Sequence, residues 1–260
     1  MKQYKGYLLD LDGTIYRGSE VIAEAVPFIG YLREQGIPFL YLTNNSSASP
    51  EHVADRLTAM GLPTSPGEVY TSSMATASFL AEKAPPGTPV YVIGEDGLRR
   101  ELERHGFILT EQGARYVVVG IDRSFTYEKL ATAACAIRNG AEFIATNCDP
   151  ALPSERGLLP GNGSLVAAVS VASGVKPTVI GKPEPLIVRY ALDSLGVPAD
   201  DTLIVGDNLF TDIEAGANSG LDSLLVLTGY STAKDAEHHS CRPTYIAADL
   251  QDWLRRLTGK

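Results

Sequence analysis

Short apolar runs alternate with amphipathic stretches along almost the whole chain, and this rhythm limits the folds that the sequence can adopt. It predicts strands at 7–9, 38–42, 90–94, 116–120, 143–145, 179–180, 202–205 and 223–227. Between them it predicts helices at 23–35, 50–60, 97–105, 126–139, 184–195 and 211–219. A repeated strand–helix–strand order is typical of parallel βαβ units. The sequence therefore predicts an α/β fold with a doubly wound parallel sheet.

The composition is that of a globular protein with an acidic surface. The 260 residues include 31 acidic and 22 basic side chains, which gives a net charge of −9. Because an acidic protein repels a phosphate backbone, we expect no nucleic-acid partner. The longest uncharged run, 157–175, is interrupted by proline and glycine, so we expect no membrane span. The three cysteines are widely spaced and form no disulfide framework, which favours a cytoplasmic location.

Two groups of acidic residues follow predicted strands. The segment Asp10-Leu11-Asp12-Gly13-Thr14 comes directly after the first strand, and Asp207, Asn208 and Asp212 come after the strand at 202–205. Ligands of open α/β sheets bind at the carboxyl ends of strands, and carboxylates from two such ends can bind a hard cation such as Mg²⁺. Asp212 could instead be a residue of the first helical turn, which leaves open a supporting role behind the metal ligands.

Two weaker signals occupy similar positions. Thr43-Asn44 follows the predicted strand at 38–42, and its hydroxyl and amide can donate hydrogen bonds to a phosphate oxygen. Lys182 lies in Gly181-Lys182-Pro183, after the predicted strand at 179–180. Taken alone, the first could be a loop cap and the second an ordinary surface charge.

Together the four elements resemble the motifs of the haloacid dehalogenase-like hydrolase superfamily, in the same order along the chain. The finer similarity is to the NagD-like, 4-nitrophenylphosphatase-type subfamily and its YutF-like members. It lies in the segments Thr43-Asn44-Asn45-Ser46, Val119-Gly120-Ile121-Asp122, Ala145-Thr146-Asn147, Pro160-Gly161-Asn162-Gly163, Gly181-Lys182-Pro183-Glu184 and Gly206-Asp207-Asn208. Cys148 departs from the subfamily, which often has Pro or Gly there, but it changes no residue that defines a motif.

The resemblance implies a catalytic core with a Rossmann-like doubly wound sheet, formed by residues 1–77 and 179–260. An α/β cap domain that selects the substrate would be inserted at 78–178. The substrate would be a small phosphorylated metabolite, and a homodimer is possible because capped relatives often pair through this domain.

The resemblance also assigns roles to individual residues. Asp10 would be the nucleophile and a Mg²⁺ ligand. Asp12 would bind the metal through its backbone carbonyl and act as acid and base through its side chain. Lys182 would be catalytic, because its charge offsets the repulsion between Asp10 and the phosphate, and it would also bind the substrate. The remaining expected roles are metal binding by Asp207, support by Asn208 and Asp212, and substrate binding by Thr43, Asn44, Asn45 and, on the cap, Asn147.

The function that these features predict is a Mg²⁺-dependent phosphatase acting on small phosphomonoesters through an aspartyl-phosphate. Two alternatives stay open. A phosphomutase of the same fold would return the phosphoryl group to its substrate, and a non-catalytic protein would only bind the phosphorylated metabolite. The presence of Asp10, Asp12, Lys182 and Asp207 favours catalysis over the second alternative.

Overall fold

The computed structural model describes residues 2–154 and 157–259. Its strands are β1 Gly6–Leu9, β2 Tyr16–Arg17, β3 Glu20–Val21, β4 Phe39–Thr43, β5 Val69–Thr71, β6 Pro89–Ile93, β7 Ile108–Leu109, β8 Tyr116–Val119, β9 Glu142–Ala145, β10 Ala151–Ser154, β11 Gly157–Pro160, β12 Thr178–Val179, β13 Thr202–Gly206, β14 Asp222–Val226 and β15 Tyr245–Ala247. Its α-helices are α1 Ala25–Glu34, α2 Pro50–Ala59, α3 Ser72–Lys83, α4 Asp96–Arg104, α5 Tyr127–Arg138, α6 Asn162–Ser173, α7 Pro185–Leu195, α8 Glu214–Asn218, α9 Ala233–His238 and α10 Leu250–Thr258. Short 3₁₀ turns, Pro66–Glu68 and Ala199–Asp201, precede β5 and β13.

The chain divides into two compact units. The first comprises Met1–Thr43, Val53–Tyr70 and Lys182–Lys260, and the second comprises Asn44–His52 and Thr71–Gly181. None of the helices in the described part of the chain combines the length and the apolar character that crossing a membrane requires.

The first unit contains a six-stranded sheet in the order β15-β14-β13-β1-β4-β5. β1 pairs in parallel with β13 on one side and with β4 on the other, so that Leu9 faces Val205 and Tyr41. Every residue of β1, β4 and β13 is buried, as expected for parallel strands covered by helices on both faces. The chain adds β4 and β5 on one side of β1, and β13, β14 and β15 on the other side. This arrangement confirms the predicted doubly wound α/β fold.

The second unit contains a five-stranded sheet in the order β12-β9-β8-β6-β7 and the separate antiparallel hairpin of β10 and β11. Its core includes Val117 and Val119 of β8, Phe143 of β9, and Val166 and Val169 of α6. Helices α5 and α6 pack against each other, as do α3 and α4. The second unit is therefore an α/β layer with its own hydrophobic core.

The boundaries between the units differ from the predicted ones. The prediction placed them after residues 77 and 178, whereas the structure places them after 70 and 181 and adds 44–52 to the second unit. Helix α3 belongs to the second unit because it packs against α4, and β12 belongs there because it pairs with β9. Residues 44–52 join the same unit through contacts such as the hydrogen bond from Gly97 N to Ser47 O (3.0 Å).

Several elements escaped the sequence interpretation. Helix α3 was not predicted because it is rich in Ser, Ala and Thr, so its apolar residues show little helical periodicity. Helices α6 and α10 and the hairpin of β2 and β3 were also not assigned. The helix predicted at 211–219 begins earlier, as the π-helical turn Leu209–Ile213, and continues as α8.

The core of the second unit allows a test of its packing. Phe143 is 4% exposed inside the core, whereas Glu142, the preceding residue on β9, is exposed. We expect Phe143→Ala to lower the free energy of unfolding by about 3–5 kcal/mol, because it removes a buried ring and leaves a cavity. Glu142→Ala should change it by less than about 0.5 kcal/mol. Urea unfolding followed by circular dichroism measures both, and equal midpoints for the two variants would contradict this packing.

Candidate active site

Two acidic residues of the first unit lie where adjacent parallel strands end. Asp10 follows β1 directly, and Asp207 follows β13 directly. The two strands run side by side in register, and the backbone N–H of Asp10 donates to Val205 O at 2.8 Å. Because both carboxylates leave the same edge of the sheet, they lie close together.

A third carboxylate, that of Asp212, joins them. One oxygen from each of Asp10, Asp207 and Asp212 lies within 4.8 Å of the others. The buried ammonium of Lys182 donates to Asp10 Oδ1 at 2.5 Å and to Asp212 Oδ1 at 2.6 Å. It also donates to the backbone carbonyl of Leu42, near the end of β4, at 3.0 Å. One lysine thus joins the ends of two strands to the π-helical turn that carries Asp212, and the three carboxylates carry more negative charge than one ammonium neutralises.

The pKa values of the cluster reflect both its burial and its excess of negative charge. Burial, reinforced by the charge of Asp212, raises the pKa of Asp10 well above its ordinary value, although Lys182 opposes the shift. Burial and Asp212 also raise the pKa of Asp207 to about 6, against a hydrogen bond from Tyr230 N. Burial alone would lower the pKa of Lys182, but the charges of Asp10 and Asp212 raise it overall. The lysine therefore stays charged.

The donor set fits a divalent cation. Carboxylate oxygens are preferred ligands of hard cations, and a divalent ion would balance the excess negative charge. Asp212 uses Oδ1 for Lys182 and accepts a hydrogen bond from Asn208 N at Oδ2 (3.2 Å). Asp207 likewise accepts at both oxygens, from Tyr230 N at Oδ2 (2.6 Å) and from Thr14 Oγ1 at Oδ1 (3.5 Å), so these hydrogen bonds do not rank the three carboxylates as ligands.

Asp12 stands apart from the three-carboxylate cluster. Its side chain is exposed, and its backbone forms an isolated bridge with Tyr16. Desolvation by the surrounding protein raises the pKa of its carboxyl, while the charge of Arg56 acts in the opposite direction. The carboxyl of Asp12 is therefore more readily protonated than an ordinary aspartate.

The loop after β14 holds Asp207 in place, and the sequence interpretation missed it. Tyr230 N donates to Asp207 Oδ2 at 2.6 Å, and Ser231 N donates to the Asp207 carbonyl at 3.0 Å. Thr228 Oγ1 donates to Gly13 O at 2.6 Å, which ties the same loop to the first motif. Gly13 has φ +87°, and a Cβ there would lie 2.5 Å from Asp207 Oδ2, so the position requires glycine.

A signal for this loop was present in the sequence. It follows the strand predicted at 223–227, so it lies at the carboxyl end of a strand like the other candidate loops. Its residues act through backbone N–H groups and a hydroxyl, and a search for acidic, amide and lysine side chains passes over such groups.

The structure places the other predicted substrate-binding residues as follows. Thr43 is the last residue of β4, in the first unit, and is buried. Asn44, Asn45 and Asn147 belong to the second unit. Asn45 Oδ1 accepts hydrogen bonds from Ser47 N (2.8 Å) and Ser47 Oγ (2.9 Å), so it shapes the turn after Asn44.

Asn44 belongs to a polar network within the second unit. Its Nδ2 donates to both carboxylate oxygens of Asp149, at 3.1 and 3.0 Å, and its carbonyl accepts from Asn147 Nδ2 at 2.8 Å. The buried Asn162, from the Pro160–Gly163 segment, donates to the Asn147 carbonyl at 2.8 Å. Asn147 is thus buried, and its amide nitrogen holds the backbone of Asn44.

Comparison with known families matches most of the chain. Residues 7–108 match the family described as haloacid dehalogenase-like hydrolase, and residues 179–253 match a second family of HAD-like hydrolases.

Two relatives are similar over nearly their full length. The 5'-nucleotidase YutF of Bacillus subtilis is 50% identical over 254 residues, which cover 98% of this chain and 99% of that protein. The acid sugar phosphatase of Staphylococcus saprophyticus is 48% identical over 258 residues, which cover 99% of both chains.

Solved structures agree with this assignment. A thermostable NPPase from Geobacillus stearothermophilus superposes with a TM-score of 0.91 and 47% identity, covering 97% of this chain and 99% of that one. A glycerol phosphate phosphatase from Mycobacterium tuberculosis in complex with magnesium superposes with a TM-score of 0.91 and 40% identity, and the match covers 96% of this chain and 76% of that one. NagD from Escherichia coli gives 0.91 and 37%, covering 96% and 98%. With the motifs in order and this similarity along the whole chain, the protein belongs to the haloacid dehalogenase-like hydrolases, within their NagD-like, 4-nitrophenylphosphatase-type subfamily.

Proposed function

We propose that this chain is a Mg²⁺-dependent phosphatase that hydrolyses small phosphomonoesters through an aspartyl-phosphate on Asp10. That the chain hydrolyses phosphoric monoesters follows from its similarity, along nearly its full length, to relatives that are phosphatases. The Mg²⁺ dependence and the aspartyl-phosphate are proposed from one observation, the contact of Lys182 with Asp10 beside Asp207 and Asp212. This arrangement combines a fixed nucleophile, a buried cation and oxygen ligands for a metal.

The names of the relatives support the substrate class. They include a 5'-nucleotidase, an acid sugar phosphatase and a glycerol phosphate phosphatase, and each name denotes action on a small phosphorylated metabolite. We propose a substrate of this class for the present chain. The catalytic role belongs to the first unit in this proposal, and substrate selection belongs to the second.

In the proposed first step, a carboxylate oxygen of Asp10 attacks phosphorus. An O–P bond forms, and the bond from phosphorus to the leaving oxygen breaks. Lys182 keeps the carboxylate in place and supplies positive charge beside it. A bound Mg²⁺ would supply further positive charge against the repulsion between the phosphate and the carboxylates. Asp10 and Asp207 would hold it, together with the Asp12 backbone carbonyl.

Asp12 would move the protons. In its protonated form it donates a proton to the leaving oxygen, which departs as an alcohol. As a carboxylate it then removes a proton from a water molecule whose oxygen bonds to phosphorus. The bond between phosphorus and the Asp10 carboxyl oxygen breaks, so that inorganic phosphate leaves and the Asp10 carboxylate is restored. The raised pKa of Asp12 supports the first half of this cycle, because more of the carboxyl is protonated near neutral pH than in an ordinary aspartate.

Thr43, Asn44 and Asn45 are proposed to orient the phosphate by donating hydrogen bonds to its oxygens, with Asn147 keeping the backbone of Asn44 in position. A cytoplasmic location and a homodimer stay predictions from the sequence. Release of inorganic phosphate into solution would distinguish hydrolysis from phosphoryl return to the substrate and from binding without catalysis.

The first prediction concerns the nucleophile. Asp10→Asn should keep less than about one percent of the wild-type kcat with 4-nitrophenyl phosphate, because an amide is a poor nucleophile. Asp55→Asn, an exposed residue of α2 in the same unit, is the matched control and should keep full activity. Mass spectrometry excludes deamidation back to aspartate. Substantial turnover by the Asp10→Asn variant with its amide intact would contradict covalent catalysis through this position.

The second prediction separates the two chemical steps at Asp12. An alkyl leaving group needs a proton, whereas 4-nitrophenolate leaves readily without one. Asp12→Asn should therefore reduce kcat/KM for glycerol phosphate by about 10²–10⁴-fold and that for 4-nitrophenyl phosphate much less. Because the variant also lacks the base for hydrolysis, rapid-quench kinetics with the aryl substrate should show a burst followed by slow turnover. Equal losses on both substrates and no burst would argue against the acid–base role.

The third prediction concerns pH and metal together. In the metal-free folded protein the pKa of Asp207 is about 6, above its value near 3.9 in an unfolded chain. Between these values the folded state keeps a proton that the unfolded state has lost. The free energy of unfolding of the metal-free protein should therefore fall as pH rises from about 4 to about 6.

Mg²⁺ should reverse this loss, and more strongly at high pH, because a protonated carboxyl must release its proton to bind metal. At a free Mg²⁺ concentration about a hundred times the Kd at about pH 7.5, the expected stabilisation at that pH is about 2.7 kcal/mol, and the same concentration should stabilise less at about pH 5, where the Kd is larger. Thermal unfolding at about pH 5 and about pH 7.5 measures both effects. Asp207→Asn is the control, and its response to Mg²⁺ should be much smaller. An equal Mg²⁺-induced shift in Tm at both pH values would contradict the assignment.

A further inference from the structure

A small hairpin, formed by β2 and β3, begins directly after the first motif. Within the chain segment that leads into it, Gly13 N donates to Tyr16 O at 2.8 Å, and Tyr16 N donates to Leu11 O at 3.1 Å. Asp12 lies between these contacts and is bridged to Tyr16. The position of the hairpin therefore sets the backbone on both sides of Asp12.

The hairpin is too small to be stable alone. Each strand has two residues, and the pairing consists of Tyr16 with Val21 and Arg17 with Glu20. An isolated two-stranded ribbon is marginal in water even when longer, so other contacts must fix this one.

One of these contacts comes from the exposed side chain of Arg56 on α2. Its Nη2 donates to the carbonyl of Gly18, in the turn between β2 and β3, at 2.6 Å. Its guanidinium carbon lies 4.5 Å from the centroid of the Tyr16 ring. A planar guanidinium can stack on a ring and donate at its edge at the same time, which a lysine ammonium cannot do as well. Arg56 thus holds both the turn and the base of the hairpin.

A second contact ties the hairpin to the loop that supports Asp207. Arg17 donates to Thr228 O, from Nε at 2.6 Å and from Nη2. Thr228 in turn donates to Gly13 O. The hairpin is therefore held between α2 on one side and the loop after β14 on the other, and Arg56 provides the contact from α2.

We infer that Arg56 is a positioning residue for the phosphatase reaction: through the hairpin, it fixes the orientation of Asp12 relative to Asp10. This inference rests on the proposed acid–base role of Asp12. Arg56 lies outside all four motifs, and the hydrogen bond and ring contact described above join it to the hairpin, whereas Lys182 and the loop after β14 hold the metal ligands. Small displacements of an acid–base group lower its rate contribution strongly, so the effect should be chemical as well as structural.

The test uses the leaving group, because a merely structural role would lower activity on all substrates alike. Arg56→Met keeps an aliphatic stem but loses the charge, the hydrogen bond and the guanidinium stacking. We expect it to lower kcat/KM for glycerol phosphate by about tenfold, equivalent to about 1.4 kcal/mol, and that for 4-nitrophenyl phosphate by about twofold or less. Arg56→Lys keeps the charge and should give an intermediate ratio of the two losses.

The matched control is Arg33→Met. Arg33 is also an arginine of the first unit whose guanidinium lies over an aromatic ring, that of Phe39 at 5.6 Å, and it pairs with Glu68. Arg56 and Arg17 make the contacts with the hairpin that are described above. Because Arg33→Met leaves those contacts unchanged, this variant should hydrolyse both substrates at wild-type rates. Thermal unfolding of each variant shows whether it is folded. If Arg56→Met does not fold, Arg56→Lys carries the same comparison.

Asp12→Asn, measured in parallel, separates the two hypotheses. If it shows no dependence on the leaving group, the proposed role of Asp12 is wrong. If it does, but Arg56→Met loses activity equally on both substrates or not at all, the inference about Arg56 is overturned. Arg56→Met could lower kcat/KM for glycerol phosphate tenfold while Arg56→Lys lowers kcat/KM for the two substrates equally. That result would assign the effect to the charge of Arg56 and overturn positioning by stacking. Because Arg56 is proposed to act through Asp12, adding Arg56→Met to the Asp12→Asn variant should not change the ratio of kcat/KM for the two substrates any further.

Discussion

The repulsion among three carboxylates at the edge of one sheet is the constraint on which the rest of the site depends. Asp10, Asp207 and Asp212 are held within a few ångströms of one another, and a single buried lysine contacts two of them. Burial makes this repulsion stronger, because the protein interior screens charge less than water does. Burial first, and the charge of Asp212 second, raise the pKa values of both Asp10 and Asp207. A bound cation would offset this excess of negative charge.

Such a cluster needs a rigid frame, and the first unit provides one. The carboxylates extend from β1 and β13, which are fully buried and paired in register. The loop after β14 then holds Asp207 from behind through two backbone N–H groups. Gly13 makes this contact possible, since any side chain there would collide with the Asp207 carboxylate. Backbone N–H groups, which carry no net charge, therefore help to fix the position of Asp207, whereas the charged Lys182 contacts Asp10 and Asp212.

The polar network around Asn44 follows a different principle. Its members, Asn44, Asn147, Asp149 and Asn162, belong to the second unit and are joined by neutral and charge-assisted hydrogen bonds. Buried amides in such a network specify one arrangement of their loops, because an unpaired amide in the interior is costly. The loop that carries Asn44 is thus held by hydrogen bonds to residues of its own unit.

The sequence by itself determined the α/β fold and the residues that form the acidic cluster. Apolar runs that end in Asp10, Thr43 and Asp207 favour buried strands, and parallel strands bring their carboxyl ends to one edge. The tertiary structure alone decided how Asp212 divides its oxygens between Lys182 and Asn208, and how Arg56 reaches the hairpin. It also decided that α3 and β12 belong to the second unit. These features depend on contacts between residues far apart in the chain and on backbone groups that every residue carries, so no local pattern of side chains records them.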